Sequence, residues 1–386
     1  MATDFGDVVL AVPTSVDYAR YSTEAADWYF ARCLKALLEG SGLRAADIDG
    51  LIASSFSLPP NPVASLSYSL GLGLTWLDAV PFGGASAVMA VRRAARAVQA
   101  GDAHIVACIG ADTNARNSFK DLVSAFAVAS SDAVYPYGAA GPTMPFAHVT
   151  QQYMDATGTR REDFGRLCVS QRYNAQHCEH ALLRTPTTLE EYLQAPPVAG
   201  PLHKLDLVMP CAGAEGFLVM REARARELGL RFARLRAVVE RHNAYPDETV
   251  MLRGGWAQDA ARLYDMAGTS PGHIDVVATY DDCPAVMFMQ LEGLGFCGQG
   301  EARHFVQEHD LRFDGDFPHN TSGGQLGCGQ AGCAGGFIGV VEVLRQVTHQ
   351  AGVRQVVDAQ LGLASGYGMI VFDRCLGSGA VILEGV

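Results

Sequence analysis

Short apolar runs alternate with amphipathic stretches at the start of the chain. Residues 7–13 (D-V-V-L-A-V-P) read as a strand, and residues 23–39 carry the spacing of an amphipathic helix that stops at Gly40 and Gly42. Residues 47–54 (D-I-D-G-L-I-A-S) have the pattern of a buried strand; after a Pro-rich turn, 63–70 reads as helix and 74–80 as extended. G-G-A-S-A-V-M-A-V-R-R-A-A-R-A-V-Q-A-G, residues 83–101, gives a Gly/Ser entry into an Ala-rich helix closed by Gly101, and 104–110 follows as an apolar strand. The order β-α-β-α-β-α-β predicts an α/β fold.

From 111 to 205 that rhythm breaks. Helical periodicity returns at 143–156, 161–177 and 189–193, which predicts a mainly helical cap inserted over one end of the sheet, a common place for gripping substrate. Strand patterns resume at 215–220 and 235–242. After a helical stretch at 256–267, G-T-S-P-G-H-I-D from Gly268 parallels G-L-R-A-A-D-I-D from Gly42, with the aspartate of I-D seven positions after the glycine each time. A helix is expected at 284–294. A-G-G-F-I-G-V-V-E-V-L-R-Q-V-T-H-Q-A-G (334–352) then matches 83–101 in length and in its Q-A-G ending, with a strand expected at 355–361. Two matches in the same order predict an internal duplication: an N-terminal half over 1–249, cap included, and a C-terminal half over 250–386.

The duplication changes how the Gly-rich stretch N-T-S-G-G-Q-L-G-C-G-Q-A-G-C-A-G-G (320–336) is read. Seven of the residues from 323 to 336 are glycine, so its backbone can take positive φ and admit another chain segment closely. Equivalent helices of related halves pack side by side, so the helix starts at Gly84 and Gly336 should share one cleft. Helix N-termini carry unpaired N–H groups and partial positive charge suited to a carbonyl oxygen or phosphate.

Composition narrows the partners. The 386 residues are 49% hydrophobic and 18% charged with formal charge −12, and no Lys/Arg cluster suggests a nucleic-acid or anionic-membrane surface. No apolar run reaches the roughly 18 residues of a membrane span, and the first residues lack a signal-peptide pattern, so a soluble cytoplasmic protein is expected. Ten scattered cysteines without C-x-x-C pairs point to reduced thiols.

Several motifs together resemble the thiolase superfamily, in particular its branch of sterol-carrier-type thiolases and bacterial lipid-transfer-protein homologues. They are P-Y-G at 136–138, T-L-E-E-Y-L at 188–193, G-P-L-H-K-L-D at 200–206, Y-D-D-C at 280–283, L-E-G-L-G-F-C at 291–297 and N-T-S-G-G at 320–324. The resemblance implies a duplicated α-β-α-β-α fold and a site for a coenzyme A thioester, with no tightly bound cofactor and no metal. It also implies a homodimer, and in one relative a small zinc-ribbon/OB-fold partner that completes the substrate channel. The family's nucleophilic cysteine, activated at a helix N-terminus, falls at Gly84 here, followed by Ala85 and Ser86. The histidine of the family's G-H-P falls at Gln330, after Gly329. Its second cysteine turn is imitated by C-L-G-S-G from Cys375, but strand spacing favours A-S-G-Y-G from Ala364, as a turn directly after a strand ending near Leu363.

Without that Cys/His pair, the candidates are Asp281 as orienting or basic carboxylate, Tyr367 as acid/base or enolate donor, Gln330 as hydrogen-bond donor and Cys328 as a thiol beside the cleft. A family tyrosine expected at Cys328 is absent. Gly84, Ser86, Asn320, Gly329 and Gly336 are candidate substrate-binding or oxyanion positions, with capping and loop pinning as the structural alternatives for Ser86 and Asn320. H-C-E-H at 177–180 has metal-ligand chemistry, but adjacent helical residues point apart. Three functions follow: non-covalent C–C cleavage or formation of retro-aldol or aldol type on an acyl-CoA, a non-catalytic acyl-CoA- or lipid-binding homologue or subunit, and acyl transfer through a relocated thiol such as Cys328 or Cys375.

Overall fold

The computed structural model describes residues 5–58, 63–118, 131–138 and 141–386. Part of the expected cap, 119–130 and 139–140, lies outside them. The strands are β1 (Val8–Ala19), β2 (Gly50–Ser54), β3 (Trp76–Ala79), β4 (Ile105–Asp112), β5 (Pro197–Ala199), β6 (Leu202–His203), β7 (Ala212–Arg221), β8 (Phe232–His242), β9 (Val276–Ala278), β10 (Leu361–Ile370) and β11 (Cys375–Gly385). Nine of them form one mixed sheet in the order β3-β2-β4-β7-β1-β8-β11-β10-β9, and β5 and β6 make a separate hairpin.

The sheet is the same unit written twice about the β1–β8 junction. β2 pairs parallel to β4, β4 antiparallel to β7 and β7 antiparallel to β1; on the other side β9 pairs parallel to β10, β10 antiparallel to β11 and β11 antiparallel to β8. Even β3 has a counterpart, a parallel bridge between Val277 and His319. The two I-D aspartates do the same job in each copy. Asp49 accepts the N–H groups of His104 and Ile105 where β4 starts, and Asp275 accepts those of Gln360 and Leu361 where β10 starts. We propose that the second unit starts with β8, at Phe232.

Strand alternation produces the layers. Along β1, Val8 and Leu10 enter a central core with the helices Ser86–Ala100 and Ile338–Val347, while Val9 and Ala11 face an outer core with Ala26–Ser41. Along β11, Val381 and Leu383 join that same central core, and Ala380 and Ile382 face the opposite outer layer, with Trp256–Ala267 and Pro284–Gly293. The result is the α-β-α-β-α arrangement, with the two Gly-entered helices in its middle. The helices Thr143–Thr157, Arg161–Gln176 and Leu189–Leu193 pack over the second unit.

Two expectations need correction. Residues 355–360 are not a strand, because Gln346 at the end of the Ile338–Val347 helix holds them back. Its side chain donates to Arg354 O at 2.8 Å and accepts from Val356 N at 2.8 Å, so β10 begins only at Leu361. A-S-G-Y-G is correspondingly not a turn; Tyr367 lies inside β10, paired with Ser378 of β11.

Candidate active site

The two Gly-rich turns meet as closely as backbone allows. Gly83–Ala85 runs into Ser86–Ala100, and Gly332–Gly336 leads to Ile338–Val347. A Cβ on Gly336 would lie 2.3 Å from Gly83 O and 2.9 Å from Gly84 Cα, so only glycine fits. Asp112, at the end of β4, ties the crossing together. Its carboxylate accepts from Ser55 Oγ at 2.8 Å, Phe56 N at 2.8 Å and Ser57 N at 2.6 Å, and from Cys333 N at 2.7 Å. Asp112→Ala would leave one buried and two half-buried backbone N–H groups without their acceptor, at about 1–3 kcal/mol each. The expected result is a stability loss of about 3 kcal/mol or more in urea unfolding; a loss under about 1 kcal/mol would contradict this role.

A cavity opens beside the crossing, lined by Gly84, Tyr280, Asp282, Gln330 and Tyr367, with Phe56, Phe146, Met369 and Ile370 as apolar walls. Tyr280 lies two residues beyond β9. Gln290, one helix onward, clamps its backbone in both directions, accepting from Tyr280 N at 3.0 Å and donating to Tyr280 O at 2.7 Å. The ring lies over Gly84: a Cβ there would be 2.2 Å from Tyr280 Cε2 and 2.3 Å from Cζ. The phenol therefore occupies the space a side chain at 84 would need.

Gln330 connects the groups. Its backbone is pinned to Met209 O and Cys211 N, at 2.8 and 2.9 Å, and its amide donates to Asp282 Oδ1 at 2.8 Å and Tyr280 Oη at 3.3 Å. Burial, and secondarily the neighbouring Asp281 carboxylate, push the Asp282 carboxyl up to about 7. Burial and the Asp282 charge push the Tyr280 phenol well above its ordinary value, so it remains a proton donor at neutral pH. Tyr367 is 1% exposed and stacked on Trp256, with ring centroids 5.8 Å apart; its hydroxyl has no described nitrogen or oxygen partner, and the Cys375 thiol lies beside it. A buried, unpaired hydroxyl at a cavity wall is poised to donate to a ligand.

The other candidates fall outside this constellation. Asp281 caps the helix Gly324–Cys328, accepting from Gln325 N and Leu326 N at 3.0 Å each and from Gln171 Nε2 at 2.7 Å. Asn320 pins its loop to β9 through Thr279 N and O, at 2.9 and 3.1 Å. Ser86 accepts from Phe82 N at 3.0 Å, and the Gly329 N–H is taken by Gln325 O at 2.8 Å. Cys328 is buried with Ala175, Cys178, Ala181 and Ile338, and Cys375 is in the β10–β11 hairpin; neither lines the cavity. In H-C-E-H, His177 packs against Tyr173 and Phe313, Cys178 turns to Cys328, and Glu179 and His180 pair with each other at 3.6 Å, so the four do not converge on one point. The residues not singled out from sequence are Tyr280, Asp282 and Cys211. Cys211 lines the cavity, but burial raises its pKa well above the ordinary thiol value and leaves it protonated at neutral pH.

Residues 237–377 match a family model described as thiolase C-terminal domain-like. The chain is 28% identical to a 17-hydroxy-3-oxo-4-pregnene-20-carboxyl-CoA lyase of Mycobacterium tuberculosis, over 89% of this chain and 93% of that one. It is 29% identical to a steroid side-chain-cleaving aldolase of Thermomonospora curvata, over 81% and 83%. Identity to an acetyl-CoA acetyltransferase of Methanothermobacter thermautotrophicus is 28%, over 86% and 88%. A solved chain of the Ltp2-ChsH2(DUF35) aldolase superposes with a TM-score of 0.85 at 26% identity, covering 100% of this chain and 99% of that one. The fold and the crossed Gly-rich turns define a thiolase-like protein. Within that class the relatives it resembles include steroid side-chain-cleaving aldolases and acetyl-CoA acetyltransferases, and it carries Gly84 at the position assigned to the nucleophile.

Proposed function

We propose that this protein cleaves or forms a carbon–carbon bond in an acyl-CoA by retro-aldol or aldol chemistry, with no acyl-enzyme. One observation carries this reading: the Tyr280 ring fills the space over Gly84 and is joined through Gln330 to Asp282. The place of a covalent nucleophile is thus taken by an acid/base pair. In the cleavage direction, ionised Asp282 takes the proton of a β-hydroxyl. The O–H electron pair becomes the carbonyl, the Cα–Cβ bond breaks, and its pair moves into the thioester enolate. Tyr367 Oη and the positive ends of the two central helices stabilise the enolate oxygen. Tyr280 then protonates Cα, and Asp282 restores its phenol. The names of the lyase and aldolase relatives, which act on a CoA thioester or a steroid side chain, support the substrate class and reaction type.

Acyl transfer by a relocated thiol has less support, because Cys328 and Cys375 do not line the cavity; the neighbouring Cys178 and burial raise the pKa of Cys328, and burial raises that of Cys375. The DUF35 component named with the structural neighbour supports a small partner protein. We further infer a cytoplasmic homodimer, which light scattering checks; a monomer at working concentration would contradict it. Among the described residues no helix is long and apolar enough to cross a membrane.

The pH dependence is a direct test. Asp282 is protonated below about 7 and ionised above it, so kcat/KM for cleavage should fall about tenfold per pH unit below that point. Asp282→Asn should remove this acid limb along with most activity. The same raised pKa has a stability consequence of known sign. The folded state holds a proton that the unfolded carboxyl releases near 4, so this group's contribution falls as pH rises from about 4 to about 7. Asp282→Asn should therefore raise Tm more at pH 8 than at pH 4. An unchanged pH profile in the variant would exclude Asp282 as the base.

A further inference from the structure

A second reactive cluster lies behind the site, where the Arg161–Gln176 helix ends against the Gly-rich loop. The two segments are packed backbone to side chain: a Cβ on Gly327 would lie 2.5 Å from Ala175 Cβ, and Leu182 N and Leu183 N donate to Cys328 O and Gly327 O at 3.3 and 2.9 Å. This brings Cys178 and Cys328 together in one buried cluster, where the Cys328 S–H donates to Ser322 O at 3.5 Å. Arg354, bonded to His177 O at 3.3 Å and Glu342 Oε2 at 2.9 Å, adds positive charge beside them.

We propose that Cys178 and Cys328 are a modification site: a hydroperoxide converts them to a disulfide that disturbs the Gln330 loop. Cys178 thiolate attacks one peroxide oxygen, breaking O–O and giving a sulfenic acid and hydroxide. The Cys328 thiol, losing its proton, then attacks the sulfenic sulfur, forming S–S and releasing water. Two electrons pass from the two thiols to one peroxide. Cys178 is the attacking group because the neighbouring Cys328 side chain and the Arg354 charge lower its pKa, while Cys328 itself is pushed up by Cys178 and by burial. Both side chains are buried, yet Cys178 sits in the first turn beyond the helix and next to exposed Glu179. Opening of that turn alone admits a small oxidant.

The consequence follows from position. Bonded sulfurs stand about 2.0 Å apart, well inside a thiol–thiol contact, so the cross-link must draw Cys328 inward. Gly329, at φ 102° against Cys211 and Met209, leaves little slack between Cys328 and Gln330, whose amide holds Tyr280 and Asp282.

The test is to treat the intact protein with graded hydrogen peroxide, alkylate remaining thiols and map unreduced peptides by mass spectrometry. A Cys178–Cys328 cross-link should form before the half-buried Cys297 is oxidised. Peroxide should lower acyl-CoA turnover at least fivefold, and dithiothreitol should restore it. Cys178→Ser, or Cys178→Ala if the serine variant folds poorly, should keep basal turnover and resist peroxide. Oxidation of Cys297 while Cys178 remains alkylatable, a different pairing, or equal peroxide sensitivity of the variant would overturn the proposal. The turnover arm rests on the acyl-CoA reading; the cross-link arm does not, so the two can fail separately.

Discussion

Tyr280→Phe is expected to lower kcat/KM for C–C cleavage by about 10²–10⁴-fold, the range lost when a positioned acid/base is removed. The substitution deletes one hydroxyl and keeps the ring over Gly84, so the cavity wall and the Gln290 clamp on the backbone remain. Gln330 retains its hydrogen bond to Asp282, which preserves the base. Unfolding curves close to those of the parent protein should accompany the activity loss. If turnover falls less than about threefold, Tyr280 is only a space-filler and the acid must be sought at Tyr367.

Restoring a thiol at the assigned nucleophile position should have the opposite of a rescuing effect. In Gly84→Cys the new Cβ would meet Tyr280 Cε2 at 2.2 Å and Tyr367 O at 2.3 Å, contacts that cannot exist without moving a clamped ring and a strand backbone. Overpacking of a tight core ordinarily costs about 1–3 kcal/mol, and the involvement of backbone places this case at or above the top of that range. Gly84→Cys should lose about 3 kcal/mol in urea unfolding and gain no acyl transfer. A double variant, Gly84→Cys with Tyr280→Ala, frees the space and should recover part of the stability. A stable single variant that forms an acyl-thioester would show that Tyr280 swings aside and that the site remains a thiolase site.

The repeat was legible because both copies use the same local devices. The I-D aspartates, Asp49 and Asp275, recur at the same distance from a helix-ending glycine because each accepts the N–H groups at the start of a parallel strand. The meeting of Gly84 and Gly336 followed from that duplication, since equivalent helices pack together in the central layer. The course of β10 was not legible: the Gln346 side chain decides that 355–360 turn back along a helix, and periodicity does not register one amide. Asp281 and Asp282 are neighbours of identical type, and only the tertiary fold shows that the first caps a helix while the second lines the cavity. Tyr280 was hidden for a related reason. A glycine at 84 reads as a missing nucleophile, and nothing along the chain says that a ring from the segment after β9 fills the vacated space.

The most direct test of the central claim is to mix the protein with a β-hydroxyacyl-CoA, alone and with a small zinc-ribbon/OB-fold partner, quench during turnover, and weigh both small molecules and intact protein. A shortened acyl-CoA and a carbonyl fragment should appear in equal amounts, with the protein at its unmodified mass. An acyl group retained on the protein, or no cleavage under either condition, would contradict it.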